Sequence, residues 1–152
     1  MTTTNSVTPQ VVSVFKGFYA HKEAMDLTRL EDIYSENIVF RDPLHGIRSI
    51  AALRDYLAAM YENLTECRFE YLDELIGVDS AYIKWNMHFR HPRFNNRLNT
   101  VRGVSQIQFN DRVIFHEDIY DLGELIYQHV PLLGGATRWL KRRIVQYTGP
   151  TA

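Results

Sequence analysis

Four side chains of this 152-residue chain could move a proton if the fold brought them together: Asp42, His116, Asp118 and Tyr120. Asp42 ends the apolar run Ile38 to Arg41 and is locked by Pro43, so a rigid strand end would deliver its carboxylate to the mouth of a pocket. A carboxylate so placed is a general base. The competing reading of Asp42-Pro43 is a turn, because Asp bonds its own backbone and Pro presets the following dihedral. His116 and Asp118 are two apart, which on a strand puts them on one face, where the carboxylate orients the imidazole for proton transfer near neutral pH. The competing reading of that pair is a surface salt bridge.

These groups need a scaffold, and the apolar periodicity supplies one. From Pro9 to about His21, Val11, Val12, Val14, Phe15, Phe18 and Tyr19 recur at helical spacing, with Thr8 and Pro9 as the start. A short second helix is predicted in the run from Leu27 to Tyr34, broken by Ser35 to Asn37 before the strand Ile38 to Arg41. The third runs from Ser49 through Met60, with Ile50, Leu53, Tyr56, Leu57 and Met60 on one face. Four long strands follow, over 66–76, 81–91, 98–109 and 113–121, separated by turn-like segments that include the two-residue Asn110-Asp111. Helices first and a strand meander afterwards describe an α+β domain whose curved antiparallel sheet wraps around the N-terminal helices.

Strand parity decides which side chains meet a ligand. Trp85, Met87, Phe89 and His91 form the apolar face of the second long strand; Val101, Gly103, Ser105, Ile107 and Phe109 form that of the third, with Ser105 its one hydroxyl. The last strand is ambiguous. Val113, Phe115, Glu117, Ile119 and Asp121 lie on one face, Ile114, His116, Asp118 and Tyr120 on the other.

Composition narrows the function classes. A formal charge of -1 with mixed signs, no basic arm and no zinc-type cysteine spacing argue against nucleic acid. Cys67 is the only cysteine, which fits a reducing compartment, and the cytoplasm is the expected location. The N-terminus lacks a signal-peptide pattern, and no run of about 18 apolar residues reads as a membrane span. The tail differs: an apolar segment, Gly134-Gly135, and then Trp139, Leu140, Ile144 and Tyr147 beside Arg138, Lys141, Arg142 and Arg143. It reads as an extra C-terminal helix docked over the sheet edge or a dimer neighbour, with membrane contact as the alternative. One domain is expected over 1–152, with a core over about 9–122 and an extension over about 123–147.

The order of elements, together with LEDIYSENIVFRDPLHG at residues 30–46, resembles the nuclear transport factor 2-like superfamily (a cystatin-like cone), in its SnoaL-like and ketosteroid-isomerase-like branch. The resemblance covers about residues 9–122. It implies that Asp42 falls on the aspartate with which ketosteroid isomerases shuttle a proton. Their oxyanion hole, a helix-one tyrosine and a protonated aspartic acid on the third long strand, falls on Phe18 or Phe15 (with Tyr19 next door) and on Ser105. Steroid isomerisation is therefore not expected. The resemblance also implies that His116, Asp118 and Tyr120 face inward. SnoaL-like polyketide cyclases use acidic and histidine side chains in this cavity. The water-holding Asp-Arg-Asp arrangement of limonene-epoxide-hydrolase relatives would need Arg102, which parity puts outside.

Two functions are therefore expected to compete. One is a cofactor-free acid/base isomerase or cyclase acting on a small hydrophobic cyclic or polyketide-like molecule, with Asp42, His116 and Asp118 catalytic. Tyr19, Tyr56, Met60, Trp85, Met87, Phe89, Ser105 and Tyr120 would then bind the ligand. The other is a non-catalytic ligand-binding or dimerisation module, since one fold hosts many functions. A metal held by His116, Asp118, Asp42 and His91 is a third reading that spacing does not establish, and none is assigned. A homodimer is expected from Val104, Val113, Phe115 and Ile119 on the sheet's outer face.

Overall fold

The computed structural model describes residues 8–123, so the expected C-terminal helices lie outside the described residues. Two compact units are distinguished, Met1–Tyr120 and Asp121–Ala152, and every helix and strand named below belongs to the first. Helix α1 spans Gln10–Tyr19, with Pro9 at its N-cap rather than its first turn; the Pro9 carbonyl accepts from Val12 and Ser13. Helix α2 spans Ile50–Tyr61 and is capped by Ser49, whose hydroxyl accepts from the Ala52 amide. The expected second helix is a 3-10 segment, Leu27–Asp32, started by Asp26 bonding Thr28. It stops earlier than the sequence suggests, because Tyr34 already belongs to a strand.

Six strands form one curved mixed sheet: β1 (Tyr34–Arg41), β2 (Gly46–Arg48), β3 (Glu66–Ile76), β4 (Ser80–Arg90), β5 (Asn99–Phe109) and β6 (Val113–Tyr120), in the order β2-β1-β6-β5-β4-β3. The expected meander β3 to β6 is antiparallel throughout. Two features were not expected. The short β2 pairs back on β1, and β1 joins β6 in parallel, with Phe40 opposite His116 and Arg41 opposite Glu117. Continued one step, that register brings Asp42 level with Asp118.

The ambiguous parity of β6 has a backbone cause. Phe109 pairs with Val113 and Gln108 with Phe115, so Ile114 is an extra residue with no partner on β5. Such a bulge shifts the strand's phase by one residue. Val113 and His116 are both buried as a result, at 0% and 1% exposure, while Ile114 points out. Val113 is thus part of the core, not of the outer face that was expected to dimerise. The loop before it has three residues, Asn110 to Arg112, with the Asn110 side chain accepting from the Arg112 amide, rather than the two-residue turn expected.

The core lies between the helices and the inner sheet face, and includes Val12, Leu30, Ile38, Leu53, Ile83 and Ile107. Helix α1 is pinned to β3 by the Phe69 amide donating to the Ala20 carbonyl and by the Tyr71 hydroxyl donating to the Lys16 carbonyl. No helix among the described residues is long and apolar enough to cross a membrane.

Gly103 shows how tightly the inner face is built. It sits directly opposite Trp85, and a Cβ at Gly103 would press into the six-membered ring of the indole. The absent side chain lets the indole lie flat across the sheet and donate to Ser105 Oγ at 2.9 Å. Gly103→Ala is expected to displace Trp85, break that bond and lower stability by about 1–3 kcal/mol. Urea unfolding followed by tryptophan fluorescence measures it; an unchanged midpoint would refute this account of the packing.

Candidate functional site

Alternation along β1 turns Ile38 and Phe40 into the core, and Asp42 follows in the same phase. The Asp42 carboxyl is 2% exposed. Its Oδ1 accepts from the Leu44 amide at 2.7 Å and the His45 amide at 2.6 Å, with His45 Nδ1 at 3.1 Å. Its Oδ2 accepts from the Tyr56 hydroxyl on α2. Both readings of Asp42 are therefore realised in one side chain: one oxygen closes the Pro43 turn, and the other stands at a cavity.

That cavity has about 30 Å³ open to the centres of water-sized spheres. Phe15, Phe40, Leu57, Met60, Phe69 and Trp85 contribute apolar wall. Asp42, Asp118, Tyr19, Tyr56, Tyr120 and Ser105 contribute polar groups, and His116, Tyr61 and Tyr71 complete the lining. Phe15 and Tyr19 arrive together because they are four apart on α1.

Behind the cavity runs a continuous chain of hydrogen bonds. Tyr19 Oη lies 2.7 Å from Tyr34 Oη, which lies 2.8 Å from His116 Nδ1; His116 Nε2 lies 2.8 Å from Asp118 Oδ1. Ser105 Oγ donates to the same Asp118 oxygen at 2.5 Å and accepts from Trp85. An ionised carboxylate only accepts, so His116 Nε2 carries a hydrogen. In the neutral ring Nδ1 then accepts from Tyr34, and Tyr34 accepts from Tyr19. In a charged ring the two tyrosine bonds reverse, and Tyr19 donates into the cavity.

The imidazole is boxed by Phe15, Phe40 and Tyr34, with ring centroids at 5.0, 4.9 and 5.9 Å. Both its nitrogens are engaged, so it cannot itself shuttle a substrate proton in this arrangement; it holds Asp118. Ser105 likewise spends its hydrogen on Asp118. Asp118 Oδ2 has no hydrogen-bond partner among the described residues, and the side chain is 23% exposed.

Of the residues singled out from sequence, Asp42, His116, Asp118, Tyr19, Tyr56, Met60, Trp85, Ser105 and Tyr120 line one cavity. Met87 and Phe89 do not. They continue along β4 away from it, Phe89 buried against Phe94. Arg102 is exposed and bonds Asn86 on the outer face. His91 accepts from the Arg93 amide in a turn. Among the described residues, no three His, Cys, Asp or Glu side chains are grouped to hold a metal.

Sequence reading missed Tyr34, Phe15 and Phe40 as site residues, and Phe69 and Tyr71 as lining. The alternation Ile38-Phe40-Asp42 and Phe69-Tyr71 carried a signal for some of them; nothing local marked Tyr34 as the partner of a histidine 82 positions away.

Burial lifts the hydroxyls of Tyr19, Tyr34, Tyr56, Tyr61, Tyr71 and Tyr120 above the ordinary tyrosine range, and the Asp118 charge adds to the lift in each. For Tyr56 the hydrogen bond to Asp42 is the second cause. An unfolded chain loses these protons near pH 10 whereas the folded one keeps them, so their stabilising contribution is complete below about pH 10 and declines above it. Urea midpoints between pH 8 and 11 are expected to fall above pH 10, with native tyrosinate absorbance lagging that of the unfolded chain. Native absorbance that titrates like ordinary tyrosine would contradict this.

The SnoaL-like domain family matches residues 15–117, a span that holds Asp42 and His116. No protein of curated function matches the chain in sequence. Among solved structures, the chain is similar to a hypothetical protein with a ketosteroid isomerase-like fold from Catenulispora acidiphila DSM 44928, in complex with trimethylamine. The identity is 10%, over 81% of this chain and 94% of that one, with a TM-score of 0.69. A SnoaL-like polyketide cyclase candidate from Shewanella putrefaciens CN-32 is 16% identical over 78% and 95%, with a TM-score of 0.66. A nuclear transport factor 2-like protein of unknown function from Burkholderia pseudomallei K96243 is 15% identical over 80% and 97%, with a TM-score of 0.67. At such identities the likeness is one of fold, and it agrees with the curved sheet and its helices. With the family match extending over more than half of its length, the chain belongs to the SnoaL-like domain family.

Proposed function

We propose that this protein is a cofactor-free acid/base catalyst, an isomerase or cyclase acting on a small, largely apolar molecule with an acidic C–H beside a carbonyl. The observation that carries the reading is the pair of carboxylates lining one cavity, Asp42 and Asp118: donors tie the Oδ1 of each, Asp42 Oδ2 meets the Tyr56 hydroxyl and the His45 ring, and Asp118 Oδ2 has no partner among the described residues. Fixed dipoles and hydroxyls around such a pair stabilise charge without reorganising during the reaction.

Asp42 Oδ2 takes the proton from carbon, the C–H electrons form the enolate double bond, and the carbonyl π electrons move onto oxygen. Tyr120 donates to that oxygen; its hydroxyl has no partner among the described residues, and burial and the Asp42 and Asp118 charges keep it protonated. Tyr56 can add a second donor by turning from Asp42. In an isomerase the Asp42 proton returns to a second carbon. In a cyclase the enolate carbon attacks a carbonyl of the same molecule, and the new alkoxide takes that proton. His116 is a positioning residue here, holding Asp118 through Nε2.

A binding role without turnover is favoured by one observation: the Tyr56 hydroxyl occupies the atom that would receive the proton. Hydrogen–deuterium exchange of small enolisable ketones in D2O, followed by NMR, separates the two. Asp42→Asn is expected to slow exchange about 10²–10⁴-fold. Wild-type protein that binds ketones without exchanging them would leave only the binding role, and undiminished exchange by Asp42→Asn would remove Asp42 as the base.

A further inference from the structure

The charges around the cavity are one-sided. Among the described residues, its lining holds two carboxylates and no lysine or arginine. The imidazole among them, His116, has its nitrogens committed to Tyr34 and Asp118 and presents neither to a ligand. His45, beside Asp42, is a turn residue with its side chain half exposed. Lys16 lies 4.9 Å from the centroid of the Tyr71 ring but is paired with Glu74 and is not part of the lining.

Most of the remaining wall is aromatic, with Phe15, Phe40, Tyr56, Phe69, Trp85 and Tyr120 bordering the space beside Leu57 and Met60. Carboxylate oxygens accept the N–H groups of an ammonium, and aromatic surfaces attract the alkyl groups that carry its spread charge. A carboxylate or phosphate ligand would face repulsion from both aspartates, with no lysine or arginine among the described lining residues to offset it. A bare divalent metal suits the wall less well, since hard cations take six or more oxygen ligands.

We propose that the cavity selects a small organic cation, so that the substrate or product of the reaction above bears an alkylammonium group. This rests on the same two carboxylates as the proposed function but concerns the ligand's charge rather than proton transfer. Asp118 supplies the selectivity, because its Oδ2 is the carboxylate oxygen left without a partner among the described residues. Its field already reaches the surrounding hydroxyls, contributing to the raised proton affinity of Tyr19, Tyr56 and Tyr120.

Three probes of one shape test the charge alone: tert-butylammonium, tert-butanol and pivalate, titrated at pH 7 and constant ionic strength against the full chain, with NMR and Trp85 fluorescence as readouts. The cation is expected to bind at least about tenfold more tightly than the alcohol, and pivalate not at all. Asp118→Asn should erase the preference, whereas Tyr120→Phe, which removes a hydroxyl and no charge, should keep it. Equal or tighter binding of the alcohol, binding of pivalate, or failure of the cation to bind overturns the inference. So does a preference that survives Asp118→Asn. Ketone exchange by the wild type in any of those cases would leave the acid/base reading standing, so the two can fail separately.

Discussion

The hydrogen bond between His116 and Asp118 is the constraint on which the inner face depends. A buried imidazole needs a partner at each nitrogen, and a carboxylate at one fixes what the other must be. Here that requirement recruits Tyr34 from β1, and through it Tyr19 from α1. On the other side Asp118 draws in Ser105 from β5, and Ser105 draws in Trp85 from β4. Trp85 in turn lies where it does because Gly103 has no side chain. One polar chain thus ties the helix to four strands, and every link is buried or half-buried. In a low-dielectric interior such networks hold a single geometry, since each member left unpaired is costly.

The arrangement also explains how this chain departs from the isomerase pattern that it resembles. That pattern implies an acid at the position of Ser105. Ser105 is instead the direct cross-strand partner of Asp118, so the acid stands one strand over and the serine serves it. The helix-one tyrosine is likewise displaced by a few positions, to Tyr19, and its hydroxyl reaches Tyr34 rather than standing free. Carboxylate and phenol are thus both present, held by other neighbours, and their donors and acceptors point in other directions.

Much of the fold was legible because its signals are local. Strand periodicity located the four long strands to within about a residue, and helical spacing placed the start of α2 near Ser49. The inward side of β4 and β5 followed from alternation. Asp42 could be placed at a pocket, though its double duty in the turn was posed as a choice between readings. What escaped was non-local. No periodicity says that β1 lies parallel to β6, yet that pairing, which ends at Arg41 opposite Glu117, brings Asp42 to the same end of the cavity as Asp118. Met87 and Phe89 share the inward side of β4 but do not line the cavity, because parity reports which side a residue faces, not how far a cavity runs.

The unpaired Ile114 has a consequence for how such a site can change over time. Because the bulge takes one residue out of the ladder, the inward aim of His116 and Asp118 depends on Ile114 staying unpaired as much as on the identity of those residues. Loss of Ile114 would leave Phe115 opposite Gln108 and His116 opposite Ile107, whereas pairing Ile114 itself with Gln108 would carry imidazole and carboxylate to the opposite side together, and present Glu117 in their stead. Relatives whose strand keeps its length and closes the bulge could therefore share nearly every amino acid of the strand and have cavities of different chemistry, a divergence that counting substitutions would not register.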